Sequence, residues 1–275
     1  MIGLDAAGLA LLAASLLATG VFAGVLAGLL GVGGGIVIVP VLSWLLSAST
    51  LDPEVTQHLA VATSLATIIP TSISSARSHR KRGSVDVELL KRWGPGIVIG
   101  ALVGGVVARF ASGDALRLVF GCVALAVAVN MAIPRTLTAA DALPKSRIAN
   151  GLLSWVVGLF SSLMGIGGGT LAVPIQSAFS VPIRKAVGTA SAMGLLIAVP
   201  GTLAFIWAGW GAEGLPPYSL GYVSVPAALL IVPATWFCAP LGANLAHRVD
   251  QALLKRLFAL FLAITAARML YAALG

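Results

Sequence analysis

The sequence predicts an all-α membrane protein, a polytopic bundle of transmembrane helices arranged as two inverted repeats. Three observations predict this class: the composition, a series of long apolar runs, and a glycine-rich stretch that occurs twice. Of the 275 residues, 59% are hydrophobic and only 9% are charged, whereas a soluble domain carries about 25% charged residues. Because so few charges could not cover the surface of a soluble globule, we expect the lipid bilayer to surround the chain.

The net charge of +8 does not indicate nucleic-acid binding. The positive residues lie in short clusters between apolar runs, where lysine and arginine determine the orientation of membrane helices. We therefore expect the lipid bilayer and a small substrate as partners, and no nucleic acid.

The glycine-rich stretch reads LGVGGGIVIVP at 30–40 and MGIGGGTLAVP at 164–174. Consecutive glycines destabilise a helix and leave backbone polar groups unpaired. In lipid such groups must be satisfied by protein, water or a ligand. A helix break at matching places in two halves of a chain therefore points to the substrate site of a transporter.

The apolar runs predict the membrane segments, judged against the 20 or so residues that a full span needs. Full spans are expected at about 8–30, 57–76, 93–109, 116–133, 148–164, 187–208, 221–243 and 256–274, with shorter segments after the glycines at about 36–48 and 170–180. The polar linker 134–147 divides the chain into a first transmembrane repeat, 1–133, and a second, 148–275. A second motif recurs in the same order, because AVATSLA at 60–66 resembles AVGTASA at 186–192.

The positive charges predict the orientation of the two halves. If each glycine break turns the chain back to the side from which it came, 14 of the 17 positive residues share one side. They are Arg77, Arg80, Lys81, Arg82, Lys91, Arg92, Arg135, Lys145, Arg147, Arg184, Lys185, Arg248, Lys255 and Arg256. If each break instead lies in a single membrane span, roughly 10 positive residues fall on one side and 7 on the other. The model in which each break forms a hairpin is therefore favoured. In the hairpin model the linker is cytoplasmic, both termini are periplasmic, and the two halves have opposite orientations in the membrane.

The two breaks predict a site for a small anion. Each precedes a short helix whose N-terminus would lie at membrane depth, with free N–H donors and about half a positive charge. The backbone candidates are Gly33, Gly34, Gly35, Gly167, Gly168 and Gly169. The alternative is that these glycines only permit close helix packing, as small residues do in membranes.

Side chains that could donate to an oxyanion follow each break. They are Thr63 and Ser64 in the first half, and Gln176, Thr189 and Ser191 in the second. The alternative for each hydroxyl is a hydrogen bond to its own or a neighbouring helix.

The sequence carries no pattern for a metal, a cofactor or a catalytic residue. All nine carboxylates fall in terminal or loop regions, so none is expected in a membrane core to relay protons or bind sodium. No nucleophile elbow, HExxH or Walker motif occurs. We therefore expect no enzyme. His58 is expected at the surface, and His79 and His247 in cytoplasmic basic loops.

The paired motifs LLGVGGGIVIVPVL and LMGIGGGTLAVPIQ, followed by AVATSLA and AVGTASA, resemble the TauE/SafE family of sulfite exporters. This family is also called TSUP or DUF81, and it includes permeases similar to those for toluenesulfonate uptake. Gly83, Val85 and Asp86 after the basic loop resemble the family's RG-x-VD stretch. The resemblance covers nearly the whole chain. It implies a bacterial inner-membrane protein that moves sulfite, sulfoacetate or another sulfonate.

The function predicted is therefore transport, with export favoured, of a small anion through a midplane site made by the two breaks. Three alternatives stay open: a membrane component of an assembly that transports nothing itself, a transporter of an unrelated small solute, and an ion channel. The scarcity of polar residues in the spans argues against the channel.

Overall fold

The computed structural model describes residues 6–47, 51–132, 140–246 and 251–274, which fold into a helical bundle. The helices are α1 (Ala6–Leu30), α2 (Gly35–Ser47), α3 (Pro53–Lys81), α4 (Val87–Ala108), α5 (Gly113–Ala132), α6 (Arg147–Met164), α7 (Gly169–Ala178), α8 (Ile183–Ala208), α9 (Val225–Leu245) and α10 (Gln251–Leu274). Among these residues seven helices, α1, α3, α4, α5, α6, α8 and α9, are long and apolar enough to cross a membrane. This confirms the all-α polytopic class.

Two differences from the expected boundaries have local causes. Helix α3 continues to Lys81 instead of ending near residue 76, because basic residues are good helix formers and interact favourably with the C-terminal end of the helix dipole. Helix α9 begins only at Val225, since residues 219–224 form a two-stranded hairpin, β1 (Ser219–Leu220) paired with β2 (Val223–Ser224).

Helices α3 and α8 lie at the centre of the bundle. About two thirds or more of each apolar window is buried, 72% in α3 and 67% in α8, against 22% to 44% in the other five spans. The two helices pack against each other, and α3 also contacts α2 and α9 while α8 contacts α7 and α4. Residues on α3 and α8 therefore surround any site that the two glycine breaks form.

Lines of glycine bring two pairs of helices into backbone contact. Helix α1 packs on α9, and a Cβ placed on Gly24 would lie 2.8 Å from the Thr235 Cα. Helix α4 packs on α6 in the same way, and a Cβ on Gly104 would lie 2.7 Å from the Leu159 oxygen. The lines are Gly20, Gly24 and Gly28 in α1, and Gly96, Gly100 and Gly104 in α4. A spacing of four puts each line on one helix face, where small residues let backbones approach closely.

Candidate functional site

The two glycine breaks cross each other in the interior of the protein. The Gly167 N–H donates a hydrogen bond of 3.0 Å to the Val32 carbonyl, which joins the second break to the first. A Cβ placed on Gly33 would lie 3.2 Å from the Gly167 Cα, and one placed on Gly35 would overlap the Gly165 oxygen. The six candidate glycines are all buried. Their lack of side chains is what lets the two backbones touch.

The first break has a backbone that only glycine adopts readily. Gly31, Gly33 and Gly34 have φ angles of +69°, +75° and +82°, in the left-handed region. Gly168 differs, because its φ of −58° is helical and it caps α7 without a side-chain hydrogen bond. A side chain at Gly168 would therefore strain no backbone angle and would only occupy space.

Two helices begin at this crossing, and their first N–H groups are unpaired. Within the described residues, the N–H groups of Gly168, Gly169 and Thr170 have no hydrogen-bond partner, and the same holds for Gly33, Gly34 and Gly35. Unpaired N–H groups at a helix N-terminus attract negative charge. The described carboxylates Asp52, Asp86, Glu88, Asp114, Asp141 and Glu213 are all at least partly exposed. No carboxylate among them competes for these donors.

Ser64 and Ser191 lie beside the crossing. The Ser64 hydroxyl donates to the Gly165 carbonyl over 2.7 Å, so it fixes the start of the second break. The Ser191 hydroxyl donates to the Val187 carbonyl at 3.0 Å and accepts from Ser75 at 3.2 Å. A Cβ on Gly31 would lie 3.0 Å from the Ser191 oxygen. Each serine is thus next to one break.

Thr63 and Thr189 hold the starts of helices in the opposite half. The Thr63 oxygen accepts from the Ser224 N–H before α9, and the Thr189 oxygen accepts from the Asp86 N–H before α4, both at 2.9 Å. Asp86 then caps α4 by accepting from the Leu89 N–H. These bonds tie α3 to the second half and α8 to the first. A direct contact of either threonine with substrate stays a prediction.

Gln176 is fully buried on α7, two turns beyond the break. Its Nε2 donates to the Met193 sulfur at 3.5 Å, and its Oε1 has no hydrogen-bond partner. Met193 reaches the break, because a Cβ placed on Gly168 would lie 3.0 Å from the Met193 Cβ. Gln176 is therefore connected to the second break through Met193.

Sequence reasoning missed Ser72 and Thr170, which are buried and have unpaired hydroxyls. Ser72 is on α3, and a Cβ on Gly194 of α8 would overlap its oxygen and lie 3.9 Å from the Gly168 nitrogen. Thr170 directly follows the three glycines of the second half. Alignment of the two halves could have found Thr170, since Ile36 takes its place in the first half.

The expectations for two histidines were wrong. His58 is buried rather than at the surface, with Nε2 2.9 Å from the Ala108 carbonyl and its ring against Tyr222. His79 is buried within α3 rather than in a loop, with Nε2 2.9 Å from the Gly28 carbonyl. Both rings were expected to face water because they are polar. In each case the ring nitrogen instead contacts a backbone carbonyl of a neighbouring helix. His247 lies outside the described residues.

No group of three or more histidine, cysteine, aspartate or glutamate side chains within the described residues is placed to hold a metal ion. The chemistry that the crossing can perform is reversible binding through N–H and O–H donors. Such donors suit a small anion with several oxygen atoms.

Comparison with known proteins agrees with this description of a membrane bundle. The family model described as "Sulfite exporter TauE/SafE" matches residues 16–269. A "Probable membrane transporter protein" of Haemophilus influenzae is 35% identical over 92% of this chain and 96% of its own length. The "Probable membrane transporter protein YunE" of Bacillus subtilis is 26% identical over 93% and 96%, respectively. A further probable membrane transporter protein, from Methanocaldococcus jannaschii, is 27% identical over 86% of both chains.

No solved structure matches the fold. The family model covers most of the chain, and the relative from Haemophilus influenzae exceeds 30% identity over nearly all of it. The chain is therefore a multi-pass membrane protein that belongs to the TauE/SafE family of membrane transporters.

Proposed function

We propose that the chain exports a small anion, sulfite or an organosulfonate, and that the anion binds where the two glycine breaks cross. One observation carries this proposal: two helices begin at a buried crossing and point unpaired N–H groups at it. An unpaired N–H group in the membrane interior is costly, and an anion would satisfy several at once. The family name indicates sulfur oxyanions as the class to test first.

The proposed transport mechanism needs two halves that can rock against each other. Contacts support two inverted repeats, 1–133 and 148–275, joined by the linker 134–147. The first helix of each half packs on the fourth helix of the other, α1 on α9 and α6 on α4. Helix α2 begins beside Ala23, two turns before the end of α1, since a Cβ on Gly34 would lie 2.9 Å from the Ala23 oxygen. This position supports a chain that turns back at the break, as the hairpin arrangement requires.

The orientation proposed places the basic loops in the bacterial cytoplasm and both termini in the periplasm. Three arginines fall on the opposite side, and each has a partner there: Arg109 lies over Trp207, Arg268 over Trp44, and Arg117 pairs with Asp114. Alkaline phosphatase fused after residue 275 should be active in a bacterial host, since the enzyme folds only in the periplasm. An inactive fusion, with an active one at residue 141, would reverse the orientation.

Export of an anion is favoured by an inside-negative membrane potential. The potential contributes about 2.3 kcal/mol per elementary charge for each 100 mV. A facilitator with one anion site would therefore move its substrate outward without a coupled ion.

Transport in proteoliposomes tests the proposal, with Gly168→Ala as the main variant. Labelled sulfite is taken up under an imposed potential, and sulfoacetate, thiosulfate and sulfate are offered as competitors. Gly168→Ala should reduce flux by about tenfold or more, because its Cβ would lie 3.0 Å from the Ala190 oxygen and the Met193 Cβ and would crowd the unpaired N–H groups. Gly34→Leu should abolish flux, since it adds a strained backbone.

Gly151→Ala is the matched control, because a Cβ on Gly151 of α6 meets nothing within 4 Å. It should leave flux at the wild-type level. Unchanged flux in both Gly168→Ala and Gly34→Leu would contradict the assigned site. Folded wild-type protein that moves none of these anions under any gradient would contradict anion transport and favour a non-transporting component or another solute.

A further inference from the structure

We infer that the anion site is one-sided: the anion binds at the N-terminus of α7, against Ser72, Thr170 and Gln176, and not at the N-terminus of α2. This inference rests on the proposed function and refines it. The helix end alone would not distinguish α7 from α2, since both have unpaired N–H groups. The side chains around each end differ, and they carry the argument.

Ser72 on α3 and both Thr170 and Gln176 on α7 are buried, and each has a polar side-chain atom without a hydrogen-bond partner. They are the Ser72 hydroxyl, the Thr170 hydroxyl and the Gln176 Oε1, with exposures of 1%, 2% and 0%. Such groups are costly in an apolar interior. They come from two helices: Thr170 and Gln176 are on α7, with Gln176 two turns further along it, and Ser72 is on α3 across the gap that Gly194 leaves in α8.

The corresponding positions at the α2 end are apolar. Ile36 takes the place of Thr170 and Leu42 the place of Gln176, by the register that aligns the two breaks. In the register that aligns Thr63 with Thr189, Ile68 takes the place of Gly194. The Ile68 side chain covers the first break, because Cβ atoms placed on Gly33 and Gly35 would lie 3.0 Å and 2.9 Å from it.

The two ends therefore have different partners for a ligand. At α7 an oxyanion would find the unpaired N–H groups together with two hydroxyl donors. The Gln176 amide offers Oε1 as an acceptor, or Nε2 as a donor after a rotation of 180° about its last bond. At α2 the same anion would face Ile68 and lose hydration without compensation. The chemical class this fits is one small oxyanion with several acceptor oxygens, such as sulfite or the sulfonate head of sulfoacetate.

The test uses the difference between a ligand contact and a structural contact. If Thr170 served only the fold, its hydroxyl would have a partner and Thr170→Val would destabilise the protein. Because the hydroxyl has none, Thr170→Val should raise the melting temperature of the empty protein and weaken sulfite binding. The loss of one hydrogen bond to a charged group predicts about a tenfold higher Kd.

Purified full-length protein is unfolded by heat with increasing sulfite, and in parallel with sulfoacetate, and tryptophan fluorescence gives the melting temperature and the Kd. Ser72→Ala should also raise the Kd by about tenfold. Thr202→Val is the matched control: Thr202 is buried with an unpaired hydroxyl, but it lies about 12 Å along α8 from Gly194. It should raise the melting temperature and leave the Kd unchanged.

Wild-type Kd values in both Thr170→Val and Ser72→Ala would overturn the one-sided site. If Gly168→Ala still abolished flux in that case, the proposed function would stand and only its location at the α7 end would fail. If neither anion stabilised the wild-type protein and no flux were found, the proposed function itself would fail and this inference with it.

Discussion

Gly169→Ala is expected to prevent the assembly of the two breaks and to remove transport with it. A Cβ on Gly169 would overlap the carbonyl group of Gly31, and it would lie 2.7 Å from the Val32 nitrogen. These are backbone atoms of the opposite break, so no side-chain rotation can relieve the overlap. Extra carbons in a packed core cost about 1–3 kcal/mol, and more where only backbone can move. The variant should lose its folded state at temperatures where the wild type is stable.

The measurement is the fraction of monodisperse protein that survives heating in detergent, with flux from the same preparation. Gly151→Ala is again the control, and it should make the protein slightly more stable than the wild type. Alanine stabilises a helix by up to about 1 kcal/mol relative to glycine, and no atom lies within 4 Å of a Cβ on Gly151. Wild-type stability in Gly169→Ala would mean that the breaks do not touch as described.

Gly28→Ala is expected to separate α1 from α9 and to destabilise the protein by a similar amount. A Cβ on Gly28 would overlap the Ala239 carbonyl, at the last and tightest of the three α1 glycine contacts between the two helices. The Gly28 carbonyl also lies 2.9 Å from the His79 Nε2, so displacement of α1 would break the contact that buries this histidine. Overpacking and the loss of this contact should together cost more than about 2 kcal/mol.

The melting temperature of purified Gly28→Ala should fall by several degrees or more. Gly94→Ala in α4 supplies a control within the membrane region, because the only atom its Cβ would meet within 4 Å is the Leu196 Cδ1, at 3.4 Å. An unchanged melting temperature in Gly28→Ala would show that α1 and α9 pack less closely than described.

Four of the six break glycines fall into two groups with different expected phenotypes. Gly35, Gly167 and Gly169 contact backbone of the opposite break, so the packing alternative raised by the sequence applies to them. Gly168 has a helical backbone angle and faces Met193 and the unpaired N–H groups, so it is the glycine through which transport can be tested without loss of the fold. A substitution in the first group would abolish transport without identifying a binding site.

The sequence predicted the helices well because their signals are local. Apolar run length and the cost of three glycines determine where a helix spans, ends or breaks, and both are read within about 20 residues. The start of α2 at Gly35 and of α7 at Gly169 follows directly from these glycines. The boundary errors fell where polar residues stay helical, at the end of α3 and the starts of α4 and α10, and where a turn precedes α9.

By itself, then, the sequence determined the membrane class, the order of helices and the two breaks, because hydropathy and backbone propensity act along the chain. Only the tertiary structure decided which residues meet across the chain. In the structure the Thr63 oxygen accepts a hydrogen bond from the Ser224 N–H, whereas the Ser72 hydroxyl lies beside Gly194 without a partner. A helical period identifies the face on which a residue lies but not the helix that covers it. Whether a buried hydroxyl finds a partner depends on that covering helix, more than 100 residues away in these cases.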